Sequence, residues 1–203
     1  MIKLANIPVG KSINAFEKNF TVLEHTDEGT LVLSDITELN MPFSDKRKAH
    51  IAPNDFRDSD IYRYLNGEYL AELTNGADNT DAIIDMEIDL KCTLGLRIYG
   101  FFKAKVGLLT LEQYRKYYDI IPKISACWWL ATPYGSPHTR NTSAVWIVHT
   151  YNGCHCRNYN NSYGVRPALL LDSSLLVTCD DVPNGTTSLS DYSDEELLTE
   201  VKR

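Results

Sequence analysis

From residue 124 to residue 171 this sequence has no aspartate, glutamate or lysine; Arg140, Arg157 and Arg166 are the only formal charges in that stretch. Ordinary solvated loops carry such residues, so their absence argues against a plain polar connection. Long apolar runs are missing as well. Ala168-Leu169-Leu170-Leu171 is far too short to cross a bilayer. The opening Met1-Ile2-Lys3-Leu4-Ala5-Asn6 is broken by polar residues at once, unlike a secretion signal. The expectation is a soluble chain that stays in the cell that makes it and does not insert in a membrane. No glycine-rich phosphate loop, dinucleotide fingerprint, H-E-x-x-H or G-x-S-x-G is present, so the motifs that would name an enzyme are absent.

The five cysteines, Cys92, Cys127, Cys154, Cys156 and Cys179, are odd in number and irregular in spacing, which is a poor disulfide framework and fits a reducing compartment. Cys154-His155-Cys156 with His149 nearby invites a metal reading. Structural zinc sites pair their ligands at C-x₂₋₄-C spacing, and no second ligand pair accompanies this one, so no metal or other cofactor is expected. His25, His50, His138, His149 and His155 are scattered and read as surface or hydrogen-bonded histidines. Cys127 reads as a small core residue beside the Trp pair rather than a nucleophile.

What is present is enough for a real core: 203 residues, 43% hydrophobic and 23% charged. The net charge of −7 opposes a broad nucleic-acid surface, which needs a basic face. Residues 172–203 hold eight acids against Lys202 and Arg203, an acidic tail of net −6.

Phe20-Thr21-Val22-Leu23-Glu24 and Thr30-Leu31-Val32-Leu33-Ser34 flank a polar connector and predict a β-hairpin. Residues 42–58 are polar, contain two prolines and read as a surface excursion. Ser59 predicts a helix cap, with Ile61, Tyr64, Leu65, Tyr69 and Leu73 as the apolar face and a break at Asn66-Gly67. Residues 83–90 fit a strand or a buried connector. Thr110 and Gln113 predict a capping box opening a helix to about Asp119. Strands are expected at Cys127-Trp128-Trp129-Leu130-Ala131, over residues 143–150, and over residues 165–171, and a short helix over 194–201. Early helices and late strands give an α+β fold.

Residues 134–163 concentrate tyrosine, asparagine, serine, glycine and arginine. Tyr and Trp supply contact area at low entropy cost, and Asn and Ser supply adaptable hydrogen bonds. A recognition surface is therefore expected at Tyr134, His138, Arg140, Asn141, Trp146, Tyr151, Asn152, His155, Arg157, Asn158, Tyr159, Asn160 and Tyr163. Trp128, Trp129 and Arg166 are expected to be structural, with Arg166 partly buried against carbonyls or a carboxylate.

Trp128-Trp129-Leu130-Ala131-Thr132-Pro133 and Tyr163-Gly164-Val165-Arg166-Pro167-Ala168-Leu169, with the earlier Ser59-Asp60-Ile61-Tyr62-Arg63-Tyr64-Leu65-Asn66-Gly67 and Leu108-Leu109-Thr110-Leu111-Glu112-Gln113-Tyr114, resemble a family of phage, prophage and gut-bacterial proteins. That family carries a C-type-lectin-like domain and is similar to the variable proteins of diversity-generating retroelements. The resemblance covers residues 15–177. It implies short helices in the N-terminal half, a small antiparallel sheet carrying the late strands, framework strands at the two late motifs, and displayed residues between them. The displayed palette matches adenine-directed mutagenesis, which reaches neither Lys nor Glu from Asn and Tyr codons. The chain departs from the family at Ala131, where many relatives have Arg. It also lacks the Glu-Pro-Asn, Gln-Pro-Asp and Trp-Asn-Asp motifs of calcium-dependent lectins, so calcium-dependent glycan binding is not implied.

The expectation is a single lectin-like domain over residues 1–177 with an acidic tail over 178–203. Its function is expected to be non-catalytic binding of a bacterial host protein or surface glycan. The alternative is a phage or mobile-element inhibitor of a bacterial defence protein such as a nuclease, and a lectin-like enzyme comes third. The place expected is the host bacterial cytoplasm after synthesis, with virion association as the other location.

Overall fold

The computed structural model describes residues 1–45, 52–74 and 79–179. The chain begins with β1 (Ile2–Lys3) and β2 (Ser12–Ala15), and β3 (Lys18–His25) with β4 (Thr30–Ser34) forms the expected hairpin. Its register slips between Val22 and Glu24, and this bulge allows the consecutive Val22 and Leu23 both to be buried. His25 is a hydrogen-bonded histidine, with Nδ1 2.9 Å from Thr30 Oγ1 and Nε2 2.8 Å from the Ile7 carbonyl.

After β5 (Leu39–Pro42) the structure corrects the expected surface excursion. Phe43, Ala52, Asn54, Asp55 and Phe56 are buried, and residues 46–51, with His50, lie outside the described residues. Polar residues can be buried here because their hydrogen bonds are met inside the fold. Asn54 donates to the carbonyls of Gly135 (3.1 Å) and Ala144 (3.2 Å) and accepts from the Tyr99 hydroxyl at 2.7 Å. The Asp55 carboxylate accepts from Arg57 Nη2 at 2.6 Å.

Ser59 caps α1 (Asp60–Tyr64), its hydroxyl accepting from the Tyr62 N–H. The helix does not break at Asn66-Gly67. It passes through a π turn at Leu65–Tyr69 into α2 (Leu70–Leu73), with Ile61, Leu65, Tyr69 and Leu73 buried. Asn66 explains the survival of the turn: its side-chain amide donates to the Val106 carbonyl (2.8 Å) and its oxygen accepts the Val106 N–H (3.1 Å). Residues 83–90 supply β6 (Ile83–Ile84) and β7 (Met86–Asp89), followed by β8 (Phe101–Ala104) and β9 (Val106–Gly107). The Thr110–Gln113 capping box is formed in full, and α3 (Leu111–Lys116) ends three residues short of Asp119, with Tyr117 as its cap.

The late strands are β10 (Trp128–Pro133), β11 (Ala144–Val148), β12 (Cys154–Asn158), β13 (Ser162–Val165), β14 (Ala168–Leu171) and β15 (Leu176–Val177). A five-stranded sheet runs β12-β11-β10-β13-β5, and a second sheet runs β2-β3-β4-β14-β6 with β9 also on β14. The fold is β-rich and mixed α+β. The first of these sheets is not wholly antiparallel, because β10 and β13 pair in parallel. The single strand expected over 165–171 is in fact two, in different sheets. Pro167 has no N–H to continue a ladder, and Arg166 turns inward between them, donating from Nε to the Ser34 carbonyl at 2.6 Å. Ser34 N–H in turn donates to the Pro167 carbonyl at 2.8 Å, and pairing resumes at Ala168 opposite Leu33.

β1 pairs with β15, Ile2 opposite Val177, and Asn14 bridges to Thr178, so the two ends of residues 2–178 are tied together. The acidic tail from residue 180, including the helix expected over 194–201, lies outside the described residues. Among the described residues no helix is long and apolar enough to cross a membrane.

Buried tyrosines predict an alkaline sensitivity. Burial raises the phenols of Tyr69, Tyr99 and Tyr114 well above their ordinary value, and Tyr117, buried and bonded to Glu24, is pushed up to about 12. A phenol raised in the folded state stabilises it below the unfolded pKa, and that stabilisation is lost as pH climbs through the folded value. Arg166, pulled down to about 10 by burial, acts in the opposite sense but is one group against four. Urea midpoints are therefore expected to fall steadily from about pH 9 to about pH 11; a flat profile would contradict the burial of these phenols.

Candidate functional site

The two late sequence motifs are neighbours in space. Trp128 pairs with Gly164, and the Gly164 N–H donates to the Cys127 carbonyl at 2.8 Å. Glycine is required there. A Cβ at Gly164 would lie 2.5 Å from the Thr37 side chain and 3.1 Å from the Cys127 carbonyl oxygen. Trp128 and Trp129 are both buried. Trp129 packs edge-on against Phe43 and Tyr163 and donates to the Met41 carbonyl at 3.0 Å. Trp128 meets Tyr114 edge-on, with the Arg166 guanidinium 5.2 Å from its ring. Residues 134–163 thus leave and re-enter the core on adjacent strands.

Between those strands the chain forms a β-hairpin, β11 with β12, in unbroken register from Ala144 opposite Asn158 to Val148 opposite Cys154. The pleat sends Val145 and Ile147 to one face with His155 and Arg157, and Trp146 to the other with Cys154 and Cys156. The thirteen expected recognition residues therefore do not share one face. Tyr134, His138, Arg140, Tyr151, Asn158 and Asn160 are exposed, and the other seven are half-buried.

Three groupings emerge. At the hairpin tip the Tyr151 ring, 61% exposed, stacks on His149 with centroids 4.2 Å apart and its hydroxyl bonds to His155 Nε2. Asn152 takes a left-handed backbone (φ +63°) in that turn, and its carbonyl accepts from the Tyr114 hydroxyl at 2.9 Å. On one flank Trp146 lies near Tyr134 and donates to Thr93 Oγ1 at 2.7 Å. Beside it is a cleft of about 210 Å³, lined in part by Asp89, Lys91, Cys92, Thr93 and Arg115. At the hairpin base Tyr159 and Asn160 line a second cleft, of about 300 Å³, with Pro42, Ser44, Asp45 and Asp60. The buried Ser44 hydroxyl there has no hydrogen-bond partner among the described residues. Tyr163 and Asn141 stand apart from all three groupings: Tyr163 belongs with Trp129, and Asn141 with the turn at Pro137–Thr139, which Arg140 closes in a left-handed conformation (φ +54°).

Residues 101–173 match a family described as a domain of unknown function (DUF6273). No curated protein and no solved structure matches the chain. The matched span takes in α3, the Trp pair, the hairpin and β14, while Thr93 on the flank and Pro42, Ser44, Asp45 and Asp60 at the base lie outside it.

Three side chains near the hairpin are not among the expected recognition residues, and of these only His149 draws notice in the sequence, as a candidate metal ligand. His149 forms the tip cluster, Thr93 receives the Trp146 N–H, and Arg115 on α3 lies close enough to Cys154 to oppose the rise that burial imposes on that thiol. The raised Cys154 is a thiol rather than a thiolate at neutral pH. All five cysteines are unpaired, and among the described residues no group of three His, Cys, Asp or Glu is placed to hold a metal ion.

The hairpin is anchored from below by Asn54, which is fully buried and bonds both ends of the Tyr134–Ala144 connection. Asn54→Ala leaves the Gly135 carbonyl and the Tyr99 hydroxyl without this partner. A loss of roughly 2 kcal/mol in denaturant titration is expected, the cost of orphaning buried polar groups.

Proposed function

We propose that this chain is a non-catalytic binding protein of phage or prophage type, in which a C-type-lectin-like scaffold displays the β11–β12 hairpin and its flanking turns to a host macromolecule. The observation that carries this reading is the closed base of residues 134–163. Trp128 and Gly164 are paired in a buried framework, while the segment between them exposes Tyr151 and contains no acid or lysine. A rigid base with a tyrosine-, asparagine- and arginine-rich projection is the construction that lets contact residues bind without a large ordering cost. The buried framework also accounts for the two late motifs without giving them a chemical role.

The test compares retention of the native chain and of a Tyr151→Ala, Arg157→Ala, Asn160→Ala variant on fractionated host envelope and host cytosol. Saturable binding by the native chain, lost in a variant that melts normally, supports the reading. Equal binding by both places the working surface elsewhere.

A further inference from the structure

We propose that β12 is a docking edge that takes an extended, acidic segment of a protein partner as a sixth strand, an inference that rests on the binding reading above and names its ligand class.

The edge follows from the hydrogen-bond phase of the hairpin. Tyr159 N–H donates to the Ser143 carbonyl (3.0 Å) and His149 N–H donates to the Gly153 carbonyl (2.8 Å). With Val145 opposite Arg157 and Ile147 opposite His155, the odd-numbered residues of β12 face β11. The backbone groups of Cys154, Cys156 and Asn158 then point away from the sheet. The Asn158 carbonyl is taken by the Asn161 N–H (3.0 Å), and the Cys156 carbonyl by Arg157 Nη1 (3.0 Å). The three outward N–H groups and the Cys154 carbonyl have no partner among the described residues.

Protein edges are usually blunted by proline, lysine, a bulge or a covering element. β12 has no proline, lysine or bulge, and its register is unbroken across five pairs. The opposite edge of the same sheet, β5, ends in Pro42, and the β2 edge of the other sheet is bridged at Asn14 to Thr178. A regular edge that still offers three N–H groups and one carbonyl suits strand addition, where main-chain bonds give affinity and flanking side chains give selectivity.

Charge selects the occupant. Arg57, Arg63 and Arg97 each hold a carboxylate, from Asp55, from Asp58 and Asp60, and from Asp89, while the buried Arg166 bonds carbonyls. The remaining described arginines, Arg115, Arg140 and Arg157, have no carboxylate partner among the described residues. Arg157 lies on one face of β12, and Arg115 lines the cleft on the other, beside the Thr93 that accepts the N–H of Trp146, a residue on the same face as Cys154 and Cys156. Glu112, the acid beside Arg115 in the neighbouring cleft, is already paired with Lys91 at 2.7 Å. A strand added at this edge would lay its alternating side chains beside a guanidinium on either face, so acids complement both.

The probe is a ten-residue peptide in which Glu-Glu pairs alternate with Thr-Val pairs, so that acids fall on both faces of the added strand, compared with its Lys-for-Glu counterpart. The acidic peptide is expected to bind at least tenfold more tightly, to weaken with added salt, and to slow hydrogen exchange at the Cys154, Cys156 and Asn158 amides. Cys156→Pro removes an outward N–H and no β11–β12 bond, and is expected to cut that binding at least tenfold. Arg115→Gln with Arg157→Gln, which leaves the three outward N–H groups in place, is expected to remove the preference for acid over base. Peptides that bind equally or not at all, or binding without amide protection, would overturn the proposal. If Cys156→Pro folds and retains the host ligand that the Tyr151, Arg157 and Asn160 variant loses, the edge inference falls while the binding reading stands.

Discussion

Arg166→Ala is expected to lower the stability of this chain by about 3 kcal/mol, a shift of roughly 6–12 °C in melting temperature for a domain of this size. Arg166 is fully buried, donating from Nε to the Ser34 carbonyl (2.6 Å) and from Nη1 to the Pro122 carbonyl (3.1 Å), with Trp128 against its guanidinium. Hydrogen bonds from a charged donor contribute about 1.5–3 kcal/mol each, and alanine would also leave a cavity. Against these losses stands the relief of a buried charge. Burial already pulls the Arg166 pKa down to about 10, and Nη2 lacks a partner among the described residues. The balance still favours loss, because the buried Ser34 carbonyl is orphaned where the chain crosses from one sheet to the other and the Pro122 carbonyl loses its donor. Arg166→Met separates the contributions by restoring volume without donors, and is expected to recover roughly 1 kcal/mol. A methionine variant as stable as the native chain would mean that the guanidinium acts through its volume alone.

Replacing Tyr151, Arg157 and Asn160 together by alanine is expected to weaken ligand binding at least a hundredfold, about 2.7 kcal/mol, with melting shifted by no more than a few degrees. Aromatic and arginine side chains dominate interface energetics. These three sample the tip, the edge and the base of the hairpin. Tyr151 is exposed, and Arg157 bonds only a carbonyl, that of its neighbour Cys156, so neither holds the framework. Tyr159 is left in place because its ring packs against the core, where truncation would confuse stability with contact. Isothermal titration against the ligand recovered from host fractions, alongside thermal melts, checks both halves. Normal binding by the triple variant would move the working surface off the hairpin altogether.

How far the sequence was legible depends on how local the cause is. The hairpin at residues 20–34 follows from β-branched alternation around a polar turn, and the Thr110–Gln113 capping box needs only four residues to be recognised. The dense apolar strand at Trp128 and Trp129 is equally local. The errors share one feature: partners distant in sequence. Residues 42–58 are polar, yet Asn54 is buried because Tyr99, Gly135 and Ala144 meet its amide. Asn66-Gly67 looks like a helix break, yet Val106 bonds both ends of the Asn66 amide and the helix continues.

The candidate site divides along the same line. Composition alone marked residues 134–163, since the lack of acids and lysines needs no structure to be seen. Burial and pleat then separated Tyr163 from the display, added His149 at the tip, and brought Arg115 from α3 into the cleft beside Thr93 and the hairpin's Trp146. By itself the sequence determined where strands and caps begin and which segment is chemically unlike the rest, because propensity, capping and charge act over a few residues. Only the tertiary structure decided that residues 165–171 serve two sheets, that β10 and β13 run parallel, and that β12 is left as an edge, because strand pairing and the burial of Arg166 depend on groups as far away as Ser34.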